Sequence, residues 1–365
     1  MMKKFILLLM TALMALACTQ SQSSENVINP LDESALFEEQ LSDNVSYVIL
    51  KTDKIYSGNQ SVSLKVHKGH YYIMDKRGTI DVFDENGDCV LCIEKVGRGP
   101  GEYLHLYDFI IDNDNIIVLC NYGTKVIKYS NQGEFVSEYE LPFYATSFVP
   151  HEDGYIFSRE RRFDEKLGND VIIVTDTSFN VKHHFLPKDP IMGGDYGSKI
   201  SESLNNSSFL YKDIYDNNLY EIDEKGLIHK YNLDLDGYHY PDEFYTATTM
   251  EEAYNALLQT NAYNVDVAMF NDRYMFVSLS HINGLEILGY RVCLYDKYAN
   301  KLYVQSINAD ENLLFNLAYP QLLTPDNEIL YISNTSFLKQ RYSHSSQVYT
   351  MAGENEVIIK YSINH

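Results

Sequence analysis

The residues best suited to bind a ligand are arginines, which the chain uses sparingly. There are eight of them in 365 residues that carry a net charge of −22. Three lie together in the segment Arg159-Glu160-Arg161-Arg162. Because a guanidinium group forms paired hydrogen bonds with carboxylates and phosphates, we interpret the arginines as a candidate anion site. The candidate residues are Arg77, Arg98, Arg159, Arg161, Arg162 and Arg341, together with Tyr103.

The alternative interpretation is that these arginines pair with nearby acids and hold neighbouring repeats together. The acids within reach along the chain are Glu102, Glu160, Asp164 and Glu165. The pairing of Arg98 with Glu102 is the strongest case, because the glycines around them allow the backbone to approach closely.

Other residues that carry chemistry lack the spacing that a metal or catalytic site requires. Cys89 and Cys92 have zinc-knuckle spacing, but no second pair of Cys or His follows at a matching distance. The segment from Asp112 to Asn115 lacks the later glycine and glutamate of a calcium loop, so we interpret it as a turn. We therefore expect no catalytic residue, no metal and no cofactor, although a site assembled from distant parts of the chain stays open.

The elements that must position the arginines are short strands that repeat along the chain. The segment from Tyr72 to Val96 contains three strands, with a hairpin turn at Asn86-Gly87 where both residues tolerate positive φ. Five weaker copies follow at a spacing of roughly 40 to 60 residues, which is typical of propeller blades. We predict an all-β, six-bladed β-propeller whose ring is closed by the N-terminal strand from Asn44 to Lys51.

The exit from the first repeat resembles a known family. The segment Val96 to Tyr103 (VGRGPGEY) is similar to the G-x-G-P-G-E-[YF] motif of six-bladed β-propeller lipoproteins common in Bacteroidetes, which are relatives of NHL-repeat propellers. The flanking patterns I-x-V-F-D-x-x-G and D-F-I-I-D fit as well. The resemblance implies this fold and a cell-envelope location, and it implies no settled activity and no catalytic residue.

The predicted fold places most of the arginines on one face of the propeller. In a propeller, the links between the second and third strands of each blade lie on the same face as the links between blades, and this is conventionally the ligand face. Six of the eight arginines fall in such links. We therefore expect an Arg/Tyr-rich binding face.

The N-terminus predicts export and a lipid anchor. A basic start and an apolar run from Phe5 to Leu16 precede Ala17 and Cys18 at a cleavage position. We predict a location at the outer membrane of the cell envelope, on either its periplasmic or its surface side. The predicted divisions are a signal peptide over 1–17, a tether over 18–43 lipidated at Cys18, and a propeller over 44–365 with a helical insertion at about 240–264.

Composition and fold favour a binding module over an enzyme. The negative charge argues against binding to nucleic acid and against adhesion to anionic lipid surfaces, so we expect membrane contact only through the anchor. The expected partner is a glycan, a peptide or an envelope protein. Two alternatives stay open: a lyase, lactonase or glycan hydrolase with its site at the central channel, and a structural or assembly subunit.

Overall fold

The computed structural model consists of six β-sheets, and it confirms the six-bladed β-propeller that the repeats predict. It describes residues 26–33, 35–56, 62–75, 78–192, 199–202, 208–309, 316–341 and 355–364. Five sheets contain four strands and one contains five. Within these residues, no helix is long and apolar enough to cross a membrane.

Before the first blade, the chain supplies strands to two later blades. Strand β1 (Asn26–Ile28) pairs in parallel with the outer strand of the fourth blade, and β2 (Leu41–Ile49) is the outer strand of the sixth. Between them, the 3-10 helix Phe37–Gln40 buries Phe37 completely. The tether predicted over 18–43 therefore extends too far, because the apolar side chains of Ile28 and Phe37 pack into the propeller.

Each of the first three blades is an antiparallel sheet of four consecutive strands. In chain order they are β3 (Val62–His67), β4 (His70–Asp75), β5 (Thr79–Phe83) and β6 (Cys89–Ile93); β7 (Leu106–Asp112), β8 (Asn115–Cys120), β9 (Lys125–Tyr129) and β10 (Phe135–Glu140); β11 (Ser147–His151), β12 (Gly154–Ser158), β13 (Asp170–Asp176) and β14 (Val181–Pro187).

The remaining blades follow the same antiparallel plan, with β1 added to the fourth and β2 to the sixth. Their strands are β15 (Lys199–Glu202), β16 (Phe209–Lys212), β17 (Asn218–Ile222) and β18 (Leu227–Leu233); β19 (Asn261–Phe270), β20 (Tyr274–Asn283), β21 (Glu286–Asp296) and β22 (Lys301–Asn308); β23 (Leu322–Leu323), β24 (Glu328–Asn334) and β25 (Glu356–Ile363). The pairing of β2 with β25 confirms that the N-terminal strand closes the ring.

The core lies between the blades rather than inside one sheet. The first strands of neighbouring blades contact one another, which places them at the centre, and the fourth strands of the early blades are largely exposed at the rim. Sheets pack face to face through apolar side chains, as where Ile117 and Leu119 of the second blade meet Phe148 and Phe157 of the third. Each blade is therefore stable only beside its neighbours.

The two faces of the ring carry different connections. We call the top face the side that carries the link from the second to the third strand of each blade and the links between blades. The bottom face carries the two tight hairpins of each blade. On the bottom face, Asn113 and Asp114 form the turn between β7 and β8 with φ of +47° and +63°, which confirms the turn predicted there.

The hairpin at Asn86-Gly87 differs in detail from its prediction. Only Gly87 has a positive φ, of +76°. The carboxylate of Asp84 accepts hydrogen bonds from the backbone N–H groups of Asn86 and Asp88, both at 2.9 Å, and the register shifts between Val82 and Phe83. The turn is thus a hairpin with a bulge rather than a two-residue turn.

The insertion before the fifth blade contains two helices where one was expected, α1 (Asp242–Thr246) and α2 (Met250–Leu257). The capping box predicted at Thr249 and Glu252 is confirmed, because each side chain accepts a hydrogen bond from the backbone N–H of the other at 3.2 Å. A further helix that was not predicted, α3 (Thr335–Arg341), follows β24 on the top face.

Replacing Phe37 tests whether the N-terminal segment is part of the propeller. Phe37 is fully buried with its ring centroid 5.8 Å from that of Phe276. Phe37→Ala should lower the free energy of unfolding by about 3 to 5 kcal/mol, because it leaves a cavity in the core. The exposed neighbour Leu36 is the control, and Leu36→Ala should change it by less than about 1 kcal/mol. Equal effects in urea unfolding, followed by circular dichroism, would contradict the packing described.

Candidate functional site

The glycine-rich loop between the first two blades is closed by the protein's own carboxylates. The side chain of Glu102 accepts a hydrogen bond from the backbone N–H of Gly99 at 2.7 Å, and a Cβ atom at Gly97 would lie 2.0 Å from it. The N–H of Gly101 donates to Glu138 at 2.9 Å. Backbone groups that could hold an external anion are therefore already occupied, and the loop holds the first blade to the second.

Tyr103 is a buried part of the glycine-rich loop. Its side chain is fully buried, and its hydroxyl donates to the carbonyl oxygen of Gly78 at 2.9 Å and accepts from the N–H of Lys95 at 3.2 Å. Burial raises the pKa of Tyr103 to about 12. No part of the ring reaches the surface in this structure, and ligand binding by Tyr103 stays a prediction.

The remaining predicted site residues are Arg98, Arg341, Arg77 and Cys18. Arg98 is exposed and forms no ion pair with Glu102, so the expected pairing of these two residues is wrong. Arg341 ends α3 on the top face, as the repeat predicts. Arg77 and Cys18 lie outside the described residues.

Arg161 joins the third blade to the fourth from inside the protein. Its Nε donates to the Asp213 carboxylate, and its Nη2 lies 3.8 Å from Asp216. Lys188 also donates to Asp216. Burial alone would raise the pKa of Asp216, but Lys188 reverses this and holds that pKa below its usual value. All of these charges neutralise one another across the blade boundary.

The other two arginines of this segment hold their own loop. Buried Arg159 donates to the carbonyl oxygens of Arg162 and Gly168, and burial lowers its pKa although Asp164 lies 3.9 Å away. Arg162 is 58% exposed and pairs with Glu160 at 2.7 Å. As the pairing interpretation predicts, Arg162 pairs with Glu160 and Arg159 lies near Asp164, but both residues hold their own loop rather than neighbouring blades. The guanidinium groups of Arg159 and Arg161 are buried and donate to internal groups, although Arg159 Nε has no hydrogen-bond partner within the described residues. Ligand binding by Arg159 and Arg161 stays a prediction.

What the top face does present is a set of exposed apolar and aromatic side chains. Among the described links that follow β2, ten large side chains of this kind are exposed, and nine of them lie on the top face. The tenth, Tyr298, lies on the bottom face. The nine are Ile55, Val96, Tyr122, Tyr144, Phe163, Met250, Tyr254, Leu258 and Leu285.

Asp266, on the innermost strand of the fifth blade, is a titratable residue that sequence reasoning missed. A register shift between Val265 and Val267 marks a bulge in β19 at this position. Its Oδ1 accepts from the Ser280 hydroxyl at 3.1 Å, whereas its enclosed Oδ2 has no hydrogen-bond partner within the described chain. Burial raises the pKa of Asp266 to about 6, against the opposing effect of Lys212. In the sequence, the only indication of this residue is that an acid lies within an otherwise largely apolar strand.

The bottom face carries a cleft of about 430 Å³ between the first two blades. His67, Lys68, His70 and Asp114 are among its lining residues. The Asp114 carboxylate contacts Lys68 Nζ at 2.5 Å and His67 Nε2 at 2.8 Å, and Lys68 and His67 lower the pKa of Asp114. Within the described chain, no group of three or more His, Cys, Asp or Glu side chains could hold a metal ion.

The fold is a six-bladed β-propeller of a kind found in Bacteroides. A protein described as exported, from Bacteroides fragilis NCTC 9343, superposes with a TM-score of 0.73 at 18% identity, over 93% of this chain and 99% of that one. A member of the DUF4221 family from Bacteroides vulgatus superposes with a TM-score of 0.58 at 13% identity, over 92% of this chain and 100% of that one. At these identities, what is shared is the fold.

The chain belongs to the family described as "Domain of unknown function (DUF4934)", which matches residues 26–363. The match begins at the first residue of β1 and ends at the last residue of β25. No curated protein matches the chain. The family and the Bacteroides structures support the propeller part of the resemblance seen in the sequence, and the lipoprotein and NHL-repeat parts stay predictions.

Stability measurements can distinguish the structural roles of Arg161 and Arg162. Arg161→Met leaves the fully buried Asp213 without its guanidinium partner and should lower the free energy of unfolding by about 3 to 5 kcal/mol. Arg162→Met removes an exposed pair and should change it by less than about 1 kcal/mol. Urea unfolding of the two variants checks this, and a mild effect for Arg161→Met would mean that the inter-blade pair is not formed.

Asp266→Asn should change the pH dependence of stability. Between about pH 4 and pH 6, folded Asp266 keeps a proton that the unfolded chain has lost, so stability falls as pH rises and stays lower above pH 6. The amide avoids this loss. We expect the variant to match the parent at pH 4 and to exceed it by roughly 2 to 3 kcal/mol at pH 7.5. A variant destabilised equally at both pH values would show that Lys212 stabilises the carboxylate.

Proposed function

We propose that this chain is an exported binding module that recognises an envelope protein with its top face. The observation that carries the proposal concerns the described links that follow β2, where nine of the ten exposed large apolar and aromatic side chains lie on the top face. Tyrosine, phenylalanine, methionine and arginine are enriched at the centres of protein interfaces. Exposed apolar surface is unfavourable in water unless a partner covers it, so its concentration on one face favours binding there.

The chemistry of the top face favours a protein over a glycan or a small anion. Two arginines of the candidate anion site, Arg159 and Arg161, are buried and bonded inside the protein, and Arg162 pairs with Glu160. Sugars stack on aromatic rings, which Tyr122, Tyr144 and Phe163 could supply, but aliphatic Met250 and Leu258 suit the apolar anchors of a protein. Exposed Arg98 would contribute to the polar rim of such an interface.

We also propose that residues 1–17 are removed and that a lipid on Cys18 anchors the chain to the outer membrane. Similarity to a Bacteroides protein that is described as exported supports the export step. Strand β1 is parallel to β18, which runs from the bottom hairpin toward the top face. The chain therefore enters the propeller from the bottom side. With an anchor upstream of β1, the top face would point away from the membrane and toward a partner.

Site-specific photo-crosslinking tests the choice of face. A photoreactive phenylalanine analogue at Tyr122 or Tyr144 should crosslink to a protein in intact cells, because these rings are exposed on the top face. Tyr298 on the bottom face is the control, since it is at least as exposed, at 75%. Crosslinks at Tyr298 alone, or crosslinks to glycan rather than to protein at the top-face positions, would overturn the proposal.

A further inference from the structure

Helix α2 packs inward through its alanines and partly through Leu257, and it leaves other large apolar side chains exposed. Ala253 and Ala256 are buried, and Ala256 packs in one cluster with Tyr240 and Ile282. Three residues at a spacing of four, Met250, Tyr254 and Leu258, are exposed instead, and such a spacing places them on one side of the helix. A surface helix normally presents polar residues to water, so this exposed stripe requires an explanation.

The stripe is preformed and continues onto the next blade. The capping box fixes the start of α2, as described above. At the other end, the N–H of Gly284 donates to the carbonyl oxygen of Thr260 at 2.7 Å, and a Cβ at Gly284 would lie 3.3 Å from the carbonyl oxygen of Leu258. The β20–β21 hairpin therefore abuts the end of the helix and adds exposed Leu285 to the same surface. A rigid surface loses little conformational entropy when it binds.

The surroundings of the stripe are acidic. From residue 231 to residue 272, and again from 274 to 290, the sequence contains no lysine and no arginine. Exposed acids flank the stripe on α1, on α2 and at the start of β21: Asp242, Glu243, Glu251 and Glu286. Charge complementarity therefore requires basic residues around the apolar anchors of whatever binds.

We propose that Met250, Tyr254, Leu258 and Leu285 form the docking surface for a basic amphipathic helix of the partner protein. The apolar face of that helix packs on the stripe, and its lysines and arginines meet the flanking acids. This inference rests on the proposed function and adds to it the location on the top face and the chemistry of the bound segment. We call these four residues the docking stripe.

A helix fits this surface better than an extended strand. The backbone groups in the middle of α2 are already paired within the helix, so it offers no sheet edge to which a strand could add. The eight residues of α2 extend over about 12 Å, or roughly two turns, at 1.5 Å per residue. Side chains at a spacing of four on one helix pack against the same spacing on another.

A designed peptide is the first probe of the docking stripe. It is an 18-residue, fluorescein-labelled helix with leucines on one face and lysines elsewhere. One control peptide has the same composition with the leucines spread around the helix, and a second has glutamate in place of each lysine. Fluorescence anisotropy with the mature chain should show saturable binding of the first peptide and at least tenfold weaker binding of both controls. Equal binding of the scrambled control would overturn the proposal, since it would reveal only attraction to an acidic protein.

Variants of the protein locate the binding. Leu258→Asp and Tyr254→Asp should each weaken binding of the first peptide at least tenfold, and Glu251→Lys should weaken it most at low salt. Tyr298→Asp is the matched control and should leave binding unchanged. Circular dichroism checks that each variant is folded. Unchanged affinity in folded Leu258→Asp and Tyr254→Asp would overturn the proposal.

Two further outcomes separate this inference from the proposed function. Crosslinks to a protein from Tyr144 but not from Tyr254, together with no peptide binding, would overturn the docking stripe and leave the top-face proposal standing. A concentration-dependent dimer that Leu258→Asp abolishes would assign the stripe to a second copy of this chain instead. Sedimentation of the unmodified chain distinguishes that case, and a monomer at all concentrations supports a different partner.

Discussion

Closure of the ring by β2 is the interaction on which the rest of the structure depends. The outer strand of the sixth blade comes from residues 41–49, and the strand it pairs with comes from residues 356–363. Because every blade buries apolar side chains against both neighbours, an open ring would expose two sheet faces at once. The end of β2 also contacts the first blade. A Cβ at Gly87 would lie 1.9 Å from the carbonyl oxygen of Ile49, and Lys51 pairs with Asp88 at 2.8 Å. Pairings of such high sequence separation make folding slow.

Ion pairs and hydrogen bonds inside the protein use the guanidinium groups of Arg159 and Arg161 from the candidate anion set. Arg161 forms ion pairs with Asp213 and Asp216 of the fourth blade. In the glycine-rich loop, the Glu102 carboxylate accepts a hydrogen bond from the backbone. Buried ion pairs of this kind are weak sources of stability, but removing one partner is costly. The same residue types that bind external anions therefore serve here to hold blades in register.

The sequence predicts the ring because its second and third strands are short runs of apolar, β-branched and aromatic residues that are separated by turn residues. Closure was also predictable, because the strand from Asn44 to Lys51 has no partner within its own repeat. The first strands give little pattern, as in the four residues of β15 or the two of β23. The outcome for Arg161 was not predictable, because its partner Asp213 is 52 residues away and the two meet only when neighbouring blades pack. Likewise, residue types do not show the β-bulge at Asp266, although the acid itself stands out within its strand.

The short strand β1 bears on how the propeller responds to force. Its residues pair in parallel with Tyr231, Asn232 and Leu233 at the outer edge of the fourth blade. A pull on the N-terminus toward the bottom side acts along this strand, so its hydrogen bonds are loaded together in shear rather than opened one after another. Resistance to forced unfolding is set by the rate of unfolding and not by equilibrium stability. An anchored chain would thus transmit tension first to the fourth blade, and the closing strand β2 would be shielded behind it.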